Sequence, residues 1–235
     1  MLELRPAHDR GVTRLGWLDS KHSFSFGGYH RPDRNGYHGL RVLNDDRVAP
    51  GMGFDTHPHR DMEIFTWVLD GELAHRDSMG HASTLGPGSI QLMSAGTGVS
   101  HSEFNARTDA PVHFLQIWIQ PRERRVAPRY QEATPEPPDR DGRFAALATP
   151  DGRDGSLVVG ADAEVYVGDF TPGQSAAFDL PAGRVAYVHV ATGGVVVNGQ
   201  PAEAGDALTV TAADRIEISG GEVPGQALVF SLAAG

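Results

Sequence analysis

The chain has 235 residues, 40% of them apolar, with 29 glycines, 16 prolines and a net charge of −10. That length suits one large or two medium domains, and the glycine and proline content favours many turns over long helices. The acidic balance argues against a direct nucleic-acid surface, no apolar run reaches the ~20 residues of a membrane span, and the absence of cysteine removes disulfides, iron–sulfur clusters and thiolate zinc.

The opening residues, Met1-Leu2-Glu3-Leu4-Arg5-Pro6, show no basic segment followed by an apolar run. No secretory leader is expected, and a cytoplasmic location is. His22, His30 and His38 follow in a Gly- and Tyr-rich stretch that can cover the end of a barrel.

His57-Pro58-His59 comes next, and His101-Ser102-Glu103 answers it. One intervening residue puts both members of each pair on the same face of a strand. Two such strands side by side present three imidazoles and one carboxylate to a single point, a donor set for a first-row metal. Four protein ligands on an octahedral ion leave two positions open, which suits catalysis better than scaffolding. The set itself does not choose among zinc, iron, copper, nickel and manganese.

Between the two pairs, Glu63–Leu69 is apolar on both faces and reads as a strand buried on both sides. His75 and His81 bracket Arg76-Asp77-Ser78-Met79-Gly80, a polar turn, where loop hydrogen bonding is the expected role. His113 lies in the strand-like run Val112–Ile119 and reads as structural. Phe26, Phe65, Trp67, Phe114 and Trp118 can line an aromatic pocket, with core packing as the default.

Pro121–Arg140 holds five prolines and dense charge, a composition that neither a helix nor a central strand tolerates. It divides the chain into a metal-binding domain at 1–124, a linker or crossover at 125–140 and a second domain at 141–235. Arg122, Arg124, Arg125 and Arg129 in this stretch read as a solvated connecting segment. The second half carries the strand-like runs Leu157–Val159, Val165–Val167 and Val185–Val190, and Val195–Ala202 reads as a hairpin turning at Asn198-Gly199. Its one histidine, His189, is expected in the core. Short strands with recurrent turns make the fold all-β, a barrel or sandwich in each half.

Thr56–Asp61 approaches the H-x-H-x-D-H pattern of metallo-β-lactamase-like hydrolases, but Met62 stands where the last histidine belongs. The motif order resembles the cupins instead. Gly51, His57, His59, Glu63 and Gly71 follow the first cupin motif with one extra residue before the last glycine. Gly88, His101 and Asn105 follow the second loosely, with Ser94 in place of its proline and a long Gly96–His101 interval. Together with His22–Gly27 and Pro128–Gln131, the run from His57 to Asn105 is similar to the pirin family, over residues 15–131.

That resemblance implies a bicupin of two antiparallel β-barrels packed together, the N-terminal one binding a single metal and the C-terminal one degenerate. It implies His57, His59, His101 and Glu103 as ligands to one divalent transition metal, Fe(II) first, with Ni, Cu, Mn, Co or Zn as alternatives. Glu63 occupies the usual cupin carboxylate position and becomes a residue that orients a ligand. Several bacterial pirin-like proteins oxidise flavonols such as quercetin, so the resemblance implies a quercetin 2,3-dioxygenase releasing carbon monoxide, with Glu103 as catalytic base and Glu63 in reserve. The alternative is a pirin-type iron-dependent redox sensor that binds a protein partner. A monomer is expected.

Overall fold

A computed structural model describes residues 1–234. Strands dominate it, and no described helix exceeds four residues. None is long and apolar enough to cross a membrane. The chain forms two compact units, one of Arg10–Thr134 with Val159–Ala161, the other of Met1–Asp9, Pro135–Val158 and the residues from Asp162 on.

β1 (Leu2–Arg5) belongs to the second unit. The first contains β2 (Gly11–Leu15), β3 (Leu18–His22), β4 (Leu40–Val48), β5 (Gly53–His59), β6 (Glu63–Asp70) and β7 (Leu73–Asp77). It continues with β8 (Ala82–Leu85), β9 (Ile90–Ser94), β10 (Val99–Asn105), β11 (Val112–Ile119) and β12 (Arg129–Ala133). These make a seven-stranded sheet, β12-β9-β6-β11-β4-β3-β2, and a four-stranded sheet, β5-β10-β7-β8. Leu73 and Leu85 of the smaller sheet share a buried cluster with Val68, Val112 and Phe114 of the larger, so the two inner faces meet. Along β10, Val99, His101, Glu103 and Asn105 are buried while Ser100, Ser102 and Phe104 are half-buried, the period-2 signature of a strand with one face inward. In β6 every residue from Glu63 to Val68 is buried, as expected of a strand covered on both faces.

The second unit repeats this division. Its strands are β13 (Ala145–Thr149), β14 (Leu157–Val158), β15 (Ala163–Phe170), β16 (Ser175–Asp179) and β17 (Arg184–Thr192), then β18 (Gly194–Val197), β19 (Gln200–Glu203), β20 (Ala207–Val210), β21 (Arg215–Gly220) and β22 (Gly225–Ala233). They form a seven-stranded sheet, β1-β20-β17-β22-β15-β13-β14, and a four-stranded one, β16-β21-β18-β19. Each unit is thus a cupin-like domain of two sheets. The β18–β19 hairpin turns at Asn198 and Gly199, both at positive φ (47° and 79°), which is what a two-residue hairpin requires. His189 is fully buried on β17.

The chain crosses the expected domain borders in three places. β1 pairs with β20, and Leu2 and Leu4 pack on the second unit's core, so the N-terminus does not fold with the metal-binding half. Residues 125–140 are not all linker: β12 pairs with β9 as an edge strand. Pro128 and Pro135 flank that strand rather than interrupt it, which is how an edge tolerates them. Val159–Ala161 returns to the first unit, where the Gly160 amide donates to Glu63 at 3.0 Å.

Candidate metal centre

β5 and β10 pair antiparallel with His57 opposite His101 and His59 opposite Val99. Beyond His101 the register shifts, so that Glu103 lies opposite Phe54. Asp55 and Thr56 therefore share a single partner, Ser102, which is a β-bulge. The extra residue brings Phe54 and His57, three apart, to the same inner face. The bulge also exposes the Asp55 carbonyl to the His57 ring, 2.7 Å from Nδ1. A carbonyl only accepts, so Nδ1 carries the proton and Nε2 is bare.

The three expected imidazoles converge. Ring centroids are 4.8 Å apart for His57 and His59, 4.5 Å for His57 and His101, and 4.9 Å for His59 and His101. Their nitrogens lie within 4.8 Å of one another. His59 Nε2 and both nitrogens of His101 meet no hydrogen-bond partner although they are buried. Such orphaned groups cost about 1–3 kcal/mol each. Burial first, then the adjacent imidazoles, holds the His59 ring down to about 4 and the His101 ring down to about 3. Both are neutral at pH 7, the form that binds a metal.

Glu103 is 1% exposed and held from three sides. Its Oε1 accepts from Thr66 Oγ1 at 2.8 Å and Gln91 Nε2 at 2.6 Å, and its Oε2 accepts from Gln116 Nε2 at 2.8 Å. All three donors stand on the larger sheet and reach across the interior. Glu103 groups within 4.8 Å with His101 and with a fourth imidazole, His75. His75 is not in the turn that its sequence surroundings predict. It lies on β7 directly opposite Glu103, 2% exposed, stacked on Tyr130 at 4.7 Å, with neither nitrogen hydrogen-bonded. His81 does occupy a turn and bonds Asp77 at 3.0 Å.

Glu63 faces elsewhere. Its Oε2 accepts from Ser94 Oγ at 2.8 Å and the Gly160 amide at 3.0 Å. Strand parity does not carry from His59 to Glu63, because β5 and β6 belong to different sheets. The expected role of orienting a ligand is therefore absent from its contacts. His22 bonds Thr13 and Asn44, and His113 pairs with Asp45 at 2.7 Å.

A cavity of about 190 Å³ opens beside the imidazoles, with Phe26, Phe54 and Trp118 as apolar walls and His57, Glu103 and Asp46 among its polar ones. Of the aromatics expected there, Phe26 and Trp118 reach it, whereas Phe65, Trp67 and Phe114 are core. Phe54 escapes sequence reasoning because only the bulge turns it inward. Asp46, 3% exposed, escapes it as well. Burial pushes its carboxyl up to about 7 against the opposing Ser20 hydrogen bond, with the Asp45 and Glu103 charges adding to the rise.

Two all-β cupin-like domains, one with a cluster of imidazoles beside a fixed carboxylate, define a bicupin with a candidate metal centre in its first unit. The chain belongs to the pirin family. The Pirin profile matches residues 4–119, and a profile described as quercetinase C-terminal cupin domain matches residues 146–232. Quercetin 2,3-dioxygenase of Escherichia coli K12 is 40% identical over 238 residues, covering 99% of each chain. The crystal structure of the bacterial pirin YhhW from E. coli in complex with nickel(II) superposes with a TM-score of 0.94 at 39% identity, covering 100% of both chains. A quercetin 2,3-dioxygenase from Acinetobacter baumannii matches at TM-score 0.78 and 22% identity over 99% of this chain and 79% of that one, a likeness of fold alone.

Proposed function

We propose that this chain is a metal-dependent dioxygenase that cleaves flavonols such as quercetin with dioxygen and releases carbon monoxide. The observation that carries the reading is the convergence of three imidazoles, of which His59 and His101 are held neutral by burial and His57 lines an aromatic-walled cavity together with Glu103. The full-length similarity to an E. coli quercetin 2,3-dioxygenase supports the substrate class.

His57, His59, His101 and Glu103 would hold one divalent transition metal. The donors fit: His57 and His59 offer bare Nε2 atoms, His101 is neutral and unsatisfied, and the carboxylate is aimed by three hydrogen bonds. Fe(II) is the first choice, and nickel is a strong alternative given the nickel(II) complex of the related YhhW. When bound, the metal supplies Lewis acidity toward the adjacent hydroxyl and carbonyl of a flavonol and a point of contact for dioxygen. Phe26, Phe54 and Trp118 flank the substrate rings and exclude water. The family resemblance implies a second role for Glu103 as base, but its oxygens already accept from Thr66, Gln91 and Gln116, which leaves them little room to take a substrate proton as well as hold a metal. We keep it as a ligand. With no cysteine to oxidise, the protein suits the reducing cytoplasm.

Metal content by elemental analysis and dioxygen uptake with quercetin, in wild type and His101→Ala, test this reading. About one metal per chain, lost in the variant together with uptake, supports it. Metal without uptake favours a metal-dependent regulator that binds a partner, and no metal after growth in adequate iron removes the reading.

A further inference from the structure

Two adjacent aspartates on β4 face opposite surroundings. Asp45 is paired with His113 at 2.7 Å, Arg47 at 3.1 Å and Arg10 at 3.2 Å. Asp46 points the other way, onto the cavity that His57 and Glu103 also line. It is 3% exposed, no arginine or lysine pairs with it, and Ser20 supplies a hydrogen bond to its carboxylate. Its Oδ1 meets no donor. The ionisable groups around it are His22 from β3, Asp45 from its own strand, His57 from β5 and Glu103 from β10. A buried carboxylate oxygen without a donor is costly unless something arrives to satisfy it. Here the arrival comes through a cavity walled by Phe26, Phe54 and Trp118, which suits a flat aromatic molecule carrying a hydroxyl.

We propose that Asp46 is the catalytic base of this site, accepting the proton of the flavonol hydroxyl. The assignment rests on the flavonol reading above and sharpens it. The O–H bond of the substrate breaks, a new O–H bond forms on Asp46 Oδ1, and the substrate oxygen keeps the electron pair and becomes the flavonolate. One negative charge moves from protein to substrate, no redox change occurs in the step, and the proton leaves with the product. Glu103 is less suited, because Thr66, Gln91 and Gln116 occupy its lone pairs and the metal would take another.

The test uses metal-loaded protein and quercetin without oxygen, read by the red-shifted absorption of the ionised flavonol. At pH 7 the wild type should bind quercetin ionised. Asp46→Asn should bind the neutral form, with metal content unchanged and aerobic turnover down about 100-fold or more, the range a general base contributes. That turnover should recover as pH approaches the flavonol's own ionisation. Asp46→Glu should restore the ionised spectrum, and it serves if Asp46→Asn does not fold. Ionised quercetin bound equally by Asp46→Asn overturns the Asp46 role and leaves the dioxygenase reading intact. A wild type that neither binds quercetin nor takes up oxygen with it overturns both.

Discussion

The His57 ring donates its Nδ1 proton to the carbonyl of Asp55, 2.7 Å away, inside the bulge that interrupts β5. The bulge thus sets which face His57 occupies and which of its nitrogens is bare. A regular strand would leave Phe54 and His57 on opposite faces, since side chains alternate.

Deleting Thr56 should therefore do more than shorten a strand. With one residue fewer, β5 regains regular pairing; Phe54 and His57, then only two apart, keep the inner face, but Asp55 becomes the residue directly before His57 and its carbonyl no longer meets the ring Nδ1. Metal affinity should fall by at least the ~10–100-fold typical of losing a supporting contact. Titration of the variant with Ni(II), followed calorimetrically, checks this. Wild-type affinity would show that the bulge does not set the site.

Glu63 and Glu103 are both buried acids of the first unit, and their variants should behave differently. Glu63→Ala strands Ser94 Oγ and the Gly160 amide, so it should lower stability by about 1–3 kcal/mol in urea unfolding while metal content stays near wild type. Glu103→Ala should lose metal. Gln116→Leu, which removes one donor to Glu103, should keep the ligand but weaken metal binding about 10–100-fold. Elemental analysis of the three proteins separates these cases, and metal loss in Glu63→Ala would return that residue to the centre.

That contrast marks how far the sequence can be read. The H-x-H and H-x-E pairs are legible because strand alternation is local, and so is the Asn198-Gly199 hairpin, whose turn chemistry lies in two residues. Glu63 is misplaced when parity is carried across a corner where the chain changes sheets. His75 is hidden because a turn-like sequence follows it, whereas its burial depends on β7 pairing with β10. The membership of β1 and β12 is set by distant partners, Ala207–Val210 for β1 and Ile90–Ser94 for β12, which no local pattern encodes.

Acid should destabilise the metal-free protein before any carboxylate pair breaks. Burial first, and then neighbouring imidazoles, holds His59 at about 4 and His101 at about 3, from an ordinary 6.5. An unfolded chain binds protons on these rings below 6.5 while the folded one does not, so stability falls as pH drops from about 6.5 toward 3–4. The combined loss is on the order of a few kcal/mol. Thermal unfolding of apoprotein at pH 7 and pH 5 should show the decrease, and His101→Phe should flatten it. An equal slope in that variant would place the acid sensitivity elsewhere.

Asp46 should act with the opposite sign. Burial lifts its carboxyl to about 7 from an ordinary 3.8, so between those values the folded state binds a proton that the unfolded state does not. The stability this contributes is fully present below about 3.8 and is lost as pH rises through about 7. It partly offsets the histidines near pH 5–6. Asp46→Asn mimics the protonated acid without ever ionising, so the stability of the apoprotein variant relative to wild type should grow with pH. Between pH 5 and pH 8 the growth should be about 2–3 kcal/mol, a tenfold change in proton affinity being worth about 1.4 kcal/mol. Urea midpoints at the two pH values decide it: a difference that stays constant with pH would mean that Asp46 is not titrating across this range. A variant that is more stable yet slower on quercetin would fit a carboxylate held at a cost to the fold for the sake of the reaction.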